Sequence, residues 1–421
     1  MPKQSARLLL VNDVNFLLYT PFLPEAAAGT LEPRHVVTPL RDILKRTNLR
    51  LGAVTGHDPE AKTVRLDGHD GASDQLHYDR LVVAVGSVSR LLPIPGLAEH
   101  GIGFKSLSDA IWLRNHLIET LESANATEDP ALRGQMLSYV FVGGGYAGLE
   151  ALAELQDFAA DAIQRYPRAR LHGMRWILVE AAPGVLGEVD PKLGEYTVRE
   201  LRGRGIEVML STRLEQVEKD SVRLSSGETV PCRTLVWTAG VAPHPSLRGL
   251  ALPLAPSGHV PVDQFLRVAG YDGVYAVGDC AAVPNPDGGL CPPTAQHAVR
   301  QGKTAAINVA ADLGIGAAER FSYRSRGMFA NLGRFKAIGS TGGTGGRAWT
   351  FHGFPAWWMA RTYHMSQLPG AARKLRAIAD WTIGLAFSRD TAEVGSIGHP
   401  RPLREEVYAR GGTHRPLSED R

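Results

Sequence analysis

Two stretches of this chain repeat one another in their order of apolar and polar positions. Leu81-Val82-Val83-Ala84-Val85 runs apolar up to Gly86, and Leu235-Val236-Trp237-Thr238-Ala239 runs up to Gly240. A short, β-branched run that ends on glycine reads as a buried parallel strand leaving its sheet. Each run follows an alternating segment, Lys62 to Leu66 in one case and Ser221 to Leu224 in the other, with the period of a hairpin. The repeat predicts two similar α/β units. A further run, Val274-Tyr275-Ala276-Val277 up to Gly278-Asp279, marks another strand end. It belongs to a third unit or to the first one resumed.

An α/β nucleotide-binding unit opens with a strand, a glycine turn and a helix. The second unit does so: Tyr139 to Val142 leads into Gly143-Gly144-Gly145-Tyr146-Ala147-Gly148, then into the helix-forming Leu149 to Leu155. The first unit does not. Residues 1–80 contain no Gly-x-Gly-x-x-Gly, and the chain starts at what reads as the unit's second strand, Arg7 to Asn12. A strand, turn and helix amount to roughly 30 residues. The coding DNA upstream of Met1 is expected to carry them in frame.

Between the units, Ser108 to Glu122 has the spacing of an amphipathic helix, with Ser108 as N-cap and Ile111, Leu113, Leu117 and Leu121 apolar. From about Gly346 the chain becomes aromatic, with Trp349, Trp357, Trp358 and Trp381 set among Arg361, Arg373, Lys374 and Arg376. Pro355 suits a helix start, and Leu375, Ile378, Ala379, Thr382 and Ala386 share one face of a second helix. Aromatic and basic amphipathic helices suit a membrane interface; a packed aromatic cap or a dimer interface has the same composition. A polar tail runs from about Gly398.

Composition narrows the class. A length of 421 residues allows two or three domains, and 44% hydrophobic with 21% charged residues is ordinary globular content. A net charge of +3 without any long Lys/Arg run argues against nucleic acid. Cys232, Cys280 and Cys291 form no C-x-x-C pair, so neither a disulfide framework nor a dithiol centre is indicated, and a reducing cytoplasm fits. No spacing of Cys and His suggests a metal. Leu8 to Val11 is too short for a secretory h-region, and no window of ~18 apolar residues occurs.

The strongest chemical signal is Gly143-x-Gly145-x-x-Gly148 between strand and helix. Glycines there let the backbone approach a diphosphate, whose charge the helix N-terminus stabilises. Glu180, ending Arg175-Trp176-Ile177-Leu178-Val179, is placed to accept from ribose hydroxyls, and its charge repels a 2′-phosphate. NADH is therefore expected over NADPH. The run Gly342 to Gly346 precedes a strand-like segment instead of a helix and reads as a hairpin turn. Asp279 stands at a strand's C-terminal end, where open α/β sheets hold ligands.

In order, GGGYAGLE, Ile177 to Glu180, LVVAVGS, LVWTAG, VYAVGD and AQHAVRQG resemble the pyridine-nucleotide-dependent flavoproteins. Tyr19-Thr20-Pro21-Phe22-Leu23-Pro24, Pro93 to Leu97 and Gly353 to Trp357 narrow the resemblance to the type II NADH:quinone oxidoreductases, over roughly residues 8–390. The resemblance implies two Rossmann-like dinucleotide-binding domains of α/β class, the NAD domain inserted in the FAD domain, plus a C-terminal helical segment. The expected divisions are 1–134 and 244–345 for the FAD domain, 135–243 for the NAD(H) domain, 346–397 for a membrane-associating segment and 398–421 for the tail. NADH would give hydride to FAD, and electrons would pass to a membrane quinone without charge crossing the bilayer.

The same resemblance assigns Asp279 to the flavin's ribityl chain, and Ala295, Gln296 and Ala298 to the isoalloxazine and quinone site. It places Glu150 near nicotinamide and flavin, although a carboxylate in a helix's first turn is stabilised there in any case. Glu150 and Gln296 are the catalytic candidates. Gly86, Gly240 and Gly278 are the strand-end glycines at the cofactors. Asn12, followed by Asp13, replaces the acid that would meet the FAD ribose. Arg300 stands where a second glutamine is usual. The missing first glycine turn supports a rival, an NAD(H)-binding, membrane-peripheral remnant without flavin or turnover; a flavoprotein reductase with another acceptor is a nearer alternative. The expected location is the cytoplasmic face of the cell membrane, peripherally attached, with a homodimer as one option.

Overall fold

A computed structural model describes residues 6–325, 327–341 and 349–393. Its central feature is a five-stranded parallel sheet in the order Ile206–Met209, Arg175–Val179, Ser138–Val142, Thr234–Trp237, Ile102–Gly103. The opening strand Ser138–Val142 lies in the middle, buried at all five positions. Val142 faces Val179 on one side and Trp237 on the other. Such unbroken burial is why the sequence shows apolar runs here instead of alternation. Helix Tyr146–Ala162 covers the sheet with Leu149, Leu152, Leu155 and Phe158.

The first unit is assembled differently. Leu8–Asn12 pairs in parallel with Thr47–Asp58, which continues antiparallel into Thr63–Gly68 and Ser73–His77. Leu81–Val83 pairs in parallel with Val274–Ala276. The third apolar run is thus the first unit resumed, and the nucleotide-binding unit is an insertion between the two. The chain leaves through Ser87–Ser89 and returns through Val241–Pro243, and these two segments pair antiparallel.

The helix between the units runs Leu107–Ala126, and its cap is Ser106, not Ser108. Ser106 Oγ accepts from the Asp109 amide at 3.1 Å while Asp109 accepts from the Ser106 amide at 2.8 Å. A capping box needs an acid three residues on; Ser106 has Asp109, whereas Ser108 has Ile111. Leu113, Leu117 and Leu121 face the core as their spacing requires.

At the C-terminal end, Gly327–Asn331, Ala337–Thr341 and Trp349–Gly353 form an antiparallel sheet. Thr341 faces Trp349 across the second pair; the run Gly342 to Gly346, expected as a hairpin turn, lies outside the described residues. So does the tail from Gly398. Helices Phe354–Gln367, with Pro355 in its first turn, and Ala371–Ala386 follow. They sit on the Tyr19 to Pro24 stretch: Tyr19 Oη meets His364 Nδ1 at 3.0 Å, and Phe22 packs edge-on against Trp381. Among the described residues, no helix is long and apolar enough to cross a membrane.

Candidate active site

The glycine turn 143–148 divides its labour by position. Gly143 adopts φ +117°, and a side chain there would meet the Thr238 backbone at 2.9 Å. A Cβ at Gly148 would collide with the Gly143 carbonyl oxygen and Thr238 Oγ1, so Gly148 brings helix and strand together. At Gly145 an added Cβ meets nothing within 4 Å. That open position begins helix Tyr146–Ala162, where free amides and the helix dipole favour an anion. Glu180 turns toward the same loop, accepting from the Gly144 amide at 2.5 Å and the Ala182 amide at 2.7 Å.

A second cluster forms where the first unit's strands end. Asp279 Oδ2 accepts from Ser87 Oγ at 2.7 Å, and Lys105 Nζ donates to Ser87 Oγ at 2.5 Å. Burial lowers the Lys105 pKa below its ordinary value, and the Asp279 charge opposes the shift. Gly278 has φ +74°, and its amide donates to Gln301 Oε1 at 2.7 Å. Gln301, Ala298, Thr294 and His297 line a cavity of about 190 Å³ beside Gly278 and Asp279. Ala298 would stand 3.6 Å from a Cβ at Gly278, so helix Ala295–Asp312 approaches the turn closely. Gln296 faces another way: its amide donates to the Gly327 carbonyl at 2.9 Å, and Tyr323 Oη donates to its Oε1 at 2.6 Å. Arg300 stacks on the Tyr323 ring at 4.4 Å and donates to the Gln296 carbonyl at 3.3 Å.

A third cluster is carboxylic. Glu150 Oε1 accepts from the Asn331 amide at 2.8 Å, and Glu154 Oε1 accepts from Asn331 Nδ2 at 2.9 Å. Removal from water pushes Glu150 up to about 8; the Asn331 amide opposes this, and the Glu154 and Glu25 charges add to it. Glu154 is raised by burial and by Glu25, against the pull of Arg389 and Arg361.

With these positions fixed, relatives can be compared. The pyridine nucleotide-disulphide oxidoreductase family profile matches residues 2–302. A probable NADH dehydrogenase of Dictyostelium discoideum is 31% identical over 392 residues, 90% of this chain and 84% of the relative. The type II NADH:quinone oxidoreductase of Mycobacterium tuberculosis is 30% identical over 389 residues, 88% of this chain and 81% of its own. This chain belongs to the pyridine nucleotide-disulphide oxidoreductase family, among the type II NADH dehydrogenases. The NDH2 structure from Plasmodium falciparum in complex with NADH superposes with TM-score 0.86 at 18% identity, covering 93% of this chain and 95% of that one, a likeness of fold.

Within this family frame, the sequence-predicted residues fall into three groups. Gly143, Gly145, Gly148 and Glu180 come together at one loop, and Thr238, two residues before Gly240, closes it. Gly278, Asp279 and Ala298 line the second, Gly86 directly precedes its Ser87, and Ala295 opens the helix that carries Ala298. Glu150 lies at the third, and Gln296 reaches the strand Gly327–Asn331 that also carries Asn331. Asn12 spends its amide on the Val14 carbonyl at 2.8 Å, and Asp13 is exposed. Lys105, Ser87, Tyr323, Glu154 and Asn331 were not assigned to the site from the sequence, whereas Gln301 was visible as the glutamine of the AQHAVRQG motif. Ser87 directly follows a strand-end glycine and Glu154 lies one helical turn after Glu150, both usable signals; Lys105, Tyr323 and Asn331 are brought in by tertiary packing.

These residues fit one end of a flavin dinucleotide. Positive φ at Gly86 and Gly278, open space over Gly86, and the Asp279–Ser87–Lys105 group make a polar cradle for a sugar-alcohol chain. At the diphosphate end, the described residues offer the first unit no second glycine turn of the 143–148 kind.

Proposed function

We propose that this protein oxidises NADH and delivers the electrons to a membrane quinone by way of FAD. The observation that supports the proposal is a pair of strand-end loops, one at Gly143–Glu180 and one at Gly86–Asp279, in units joined by the paired connections Ser87–Ser89 and Val241–Pro243. Its relatives named as NADH dehydrogenases and NADH:quinone oxidoreductases support the same reading.

Gly143, Gly145 and Gly148 hold the NADH diphosphate, and Glu180 accepts from the adenosine ribose and disfavours a 2′-phosphate. Asp279, oriented by Ser87 and Lys105, holds the ribityl chain; Gly86, Gly240 and Gly278 admit the cofactors to the backbone. Ala295, Gln296 and Ala298 flank the ring, and Asn12 and Asp13 face the FAD ribose. Flavin, when bound, supplies the centre that takes up hydride and gives electrons to quinone. Glu150, protonated near neutral pH, can give or take a proton beside that centre. Arg300 orients Gln296 through its stacking on Tyr323.

The domain divisions 1–134, 135–243, 244–345 and 346–397 belong to this reading, with Ile102–Gly103 contributing an edge strand to the NAD(H) sheet. So does peripheral attachment at the cytoplasmic membrane face through helices Phe354–Gln367 and Ala371–Ala386, which also offer a dimer surface. The test is NADH oxidation by purified protein with a short-chain quinone. NADH-dependent quinone reduction with flavin bleaching is expected; a folded protein that binds NADH but reduces no quinone overturns the proposal.

A further inference from the structure

Residues 388–392 come back to the buried acids. Helix Ala371–Ala386 ends, Phe387 turns outward, and Arg389 two residues later turns in. Its guanidinium stands 3.8 Å from Glu154 Oε2 and donates to the Glu154 carbonyl at 3.3 Å, with 12% of its side chain exposed. The strap around it is pinned: Arg165 donates to Ser388 Oγ at 3.2 Å, and Arg114 to the Asp390 and Ala392 carbonyls at 2.5 and 3.0 Å. The other charges near Glu154 already have partners. Arg361 reaches Glu25 at 3.2 Å and pulls on Glu154 less than Arg389 does, while Asp157 is held by Arg204 at 2.7 Å. Glu150, one helical turn before Glu154, has no ion pair among the described residues, and burial raises the neighbouring Tyr146, which stays neutral.

Two acids this close share one proton over a range of pH, and their surroundings decide which of them holds it. Hydrogen bonding barely separates them: Asn331 gives one N–H to each, and Glu154 has only Thr30 in addition, at 3.5 Å. Burial works against a charge on Glu154 as well, since only 1% of it is exposed. The difference is the cation. We propose that Arg389 is a positioning residue for the proton of quinone reduction: standing beside Glu154, it keeps the charge there and the proton on Glu150. NADH gives up one hydrogen as hydride, while a quinol carries two more hydrogens than its quinone, so each turnover takes one proton from the protein. That proton leaves the Glu150 carboxyl for the acceptor's oxygen, and solvent restores it. The inference rests on the oxidoreductase reading given above.

The experiment is an infrared titration of the protonated-carboxyl stretch of the full chain, beside the pH profile of quinone reduction at saturating NADH. Glu150→Gln and Glu154→Gln identify the bands. In wild type the carboxyl that stays protonated to the highest pH should be Glu150. In Arg389→Gln it should be Glu154, raised by about 1–3 pH units once the cation is gone. Glu150 then ionises earlier, and the fall in activity on the alkaline side should move to lower pH by about one unit or more. Arg389→Lys should keep the wild-type order. Where Arg389→Gln does not fold, Arg389→Met preserves the packed stem and is read in the same way. A proton that stays on Glu150 without the cation overturns the proposal. So does an Arg389→Lys that behaves as Arg389→Gln, because the effect is then one of packing and not of charge. Bands that exchange in a protein that reduces no quinone support the hold of Arg389 on the pair and overturn the oxidoreductase reading.

Discussion

Asn331 holds Glu150 by its backbone amide, at 2.8 Å from Oε1, while its side chain holds Glu154 at 2.9 Å. One residue on strand Gly327–Asn331 therefore fixes two acids one helical turn apart on Tyr146–Ala162. Carboxylates so close and so far from water cannot both ionise cheaply, and Glu150 is pushed up to about 8.

The pH dependence of stability follows. A carboxyl kept protonated in the fold after the unfolded chain has ionised it contributes stability fully below its ordinary value of 4.5. That contribution is lost as pH rises toward about 8. Between those values wild-type stability should fall with pH by up to about 1.4 kcal/mol per unit from this group. Glu150→Gln cannot ionise, so its denaturation midpoint in urea should fall less steeply over the same window, retaining only the part due to Glu154. Parallel curves for the two proteins would count against a raised Glu150.

Gly148 and Gly145 separate packing from ligand contact. A methyl at Gly148 runs into the Gly143 carbonyl and Thr238, neither of which can move without parting helix from strand. Gly148→Ala should destabilise the protein by a few kcal/mol, about 1–3, and lower its melting temperature. Gly145→Ala meets open space and should melt like wild type. Its methyl stands where a diphosphate approaches, so NADH affinity by fluorescence titration should fall at least ~10-fold, about 1.4 kcal/mol. Unchanged NADH affinity in Gly145→Ala removes the diphosphate from that turn.

Arg361 is the counterion of a buried acid. Its guanidinium reaches Glu25 Oε1 at 3.2 Å between the rings of Trp357 and Trp381, at 4.3 and 4.5 Å, and Trp381 Nε1 donates to Glu25 Oε2 at 2.6 Å. Glu25 is 3% exposed. Arg361→Met leaves that carboxylate uncompensated and should cost about 3–5 kcal/mol, whereas adding Glu25→Gln to the same chain should recover a large part. Calorimetric melting of the three variants decides it; a double variant no more stable than Arg361→Met would show that the pair is not coupled.

What the sequence made legible was periodic or local. The runs ending at Gly86, Gly240 and Gly278 and the turn at Gly143–Gly148 announce strands and a phosphate loop, because burial on both faces and backbone freedom leave marks in consecutive residues. The helix cap was misplaced by two residues because Ser106 and Ser108 look alike until the acid three positions on is counted. Lys105 and Asn331 left no mark. Lys105 acts through Ser87, 18 residues away, and Asn331 through Glu150 and Glu154, 181 and 177 residues away. Tyr323 likewise became visible only when its ring was found beneath Arg300.

The last helix, Ala371–Ala386, presents Leu375, Ile383 and the following Phe387 outward, at 68%, 57% and 70% exposure. Ala377 and Trp381 on its other side are held by Phe22, Val36 and Leu368, so the outward face is rigidly displayed. An apolar stripe of this kind, with Arg373, Lys374 and Arg376 beside it, partitions into a headgroup layer by burying its side chains and attracting anionic lipid. At roughly 1 kcal/mol for each partly buried side chain, replacing all three with serine should weaken vesicle binding about a hundredfold. Cosedimentation with vesicles of mixed anionic and zwitterionic phospholipid measures this, with NADH affinity unchanged as the control for folding. Higher salt should weaken the wild-type binding in part but not abolish it, since the apolar contribution is unscreened. If the serine variant still binds vesicles as wild type does but sediments as a smaller species, the stripe is a contact between copies of the chain and the membrane surface lies elsewhere.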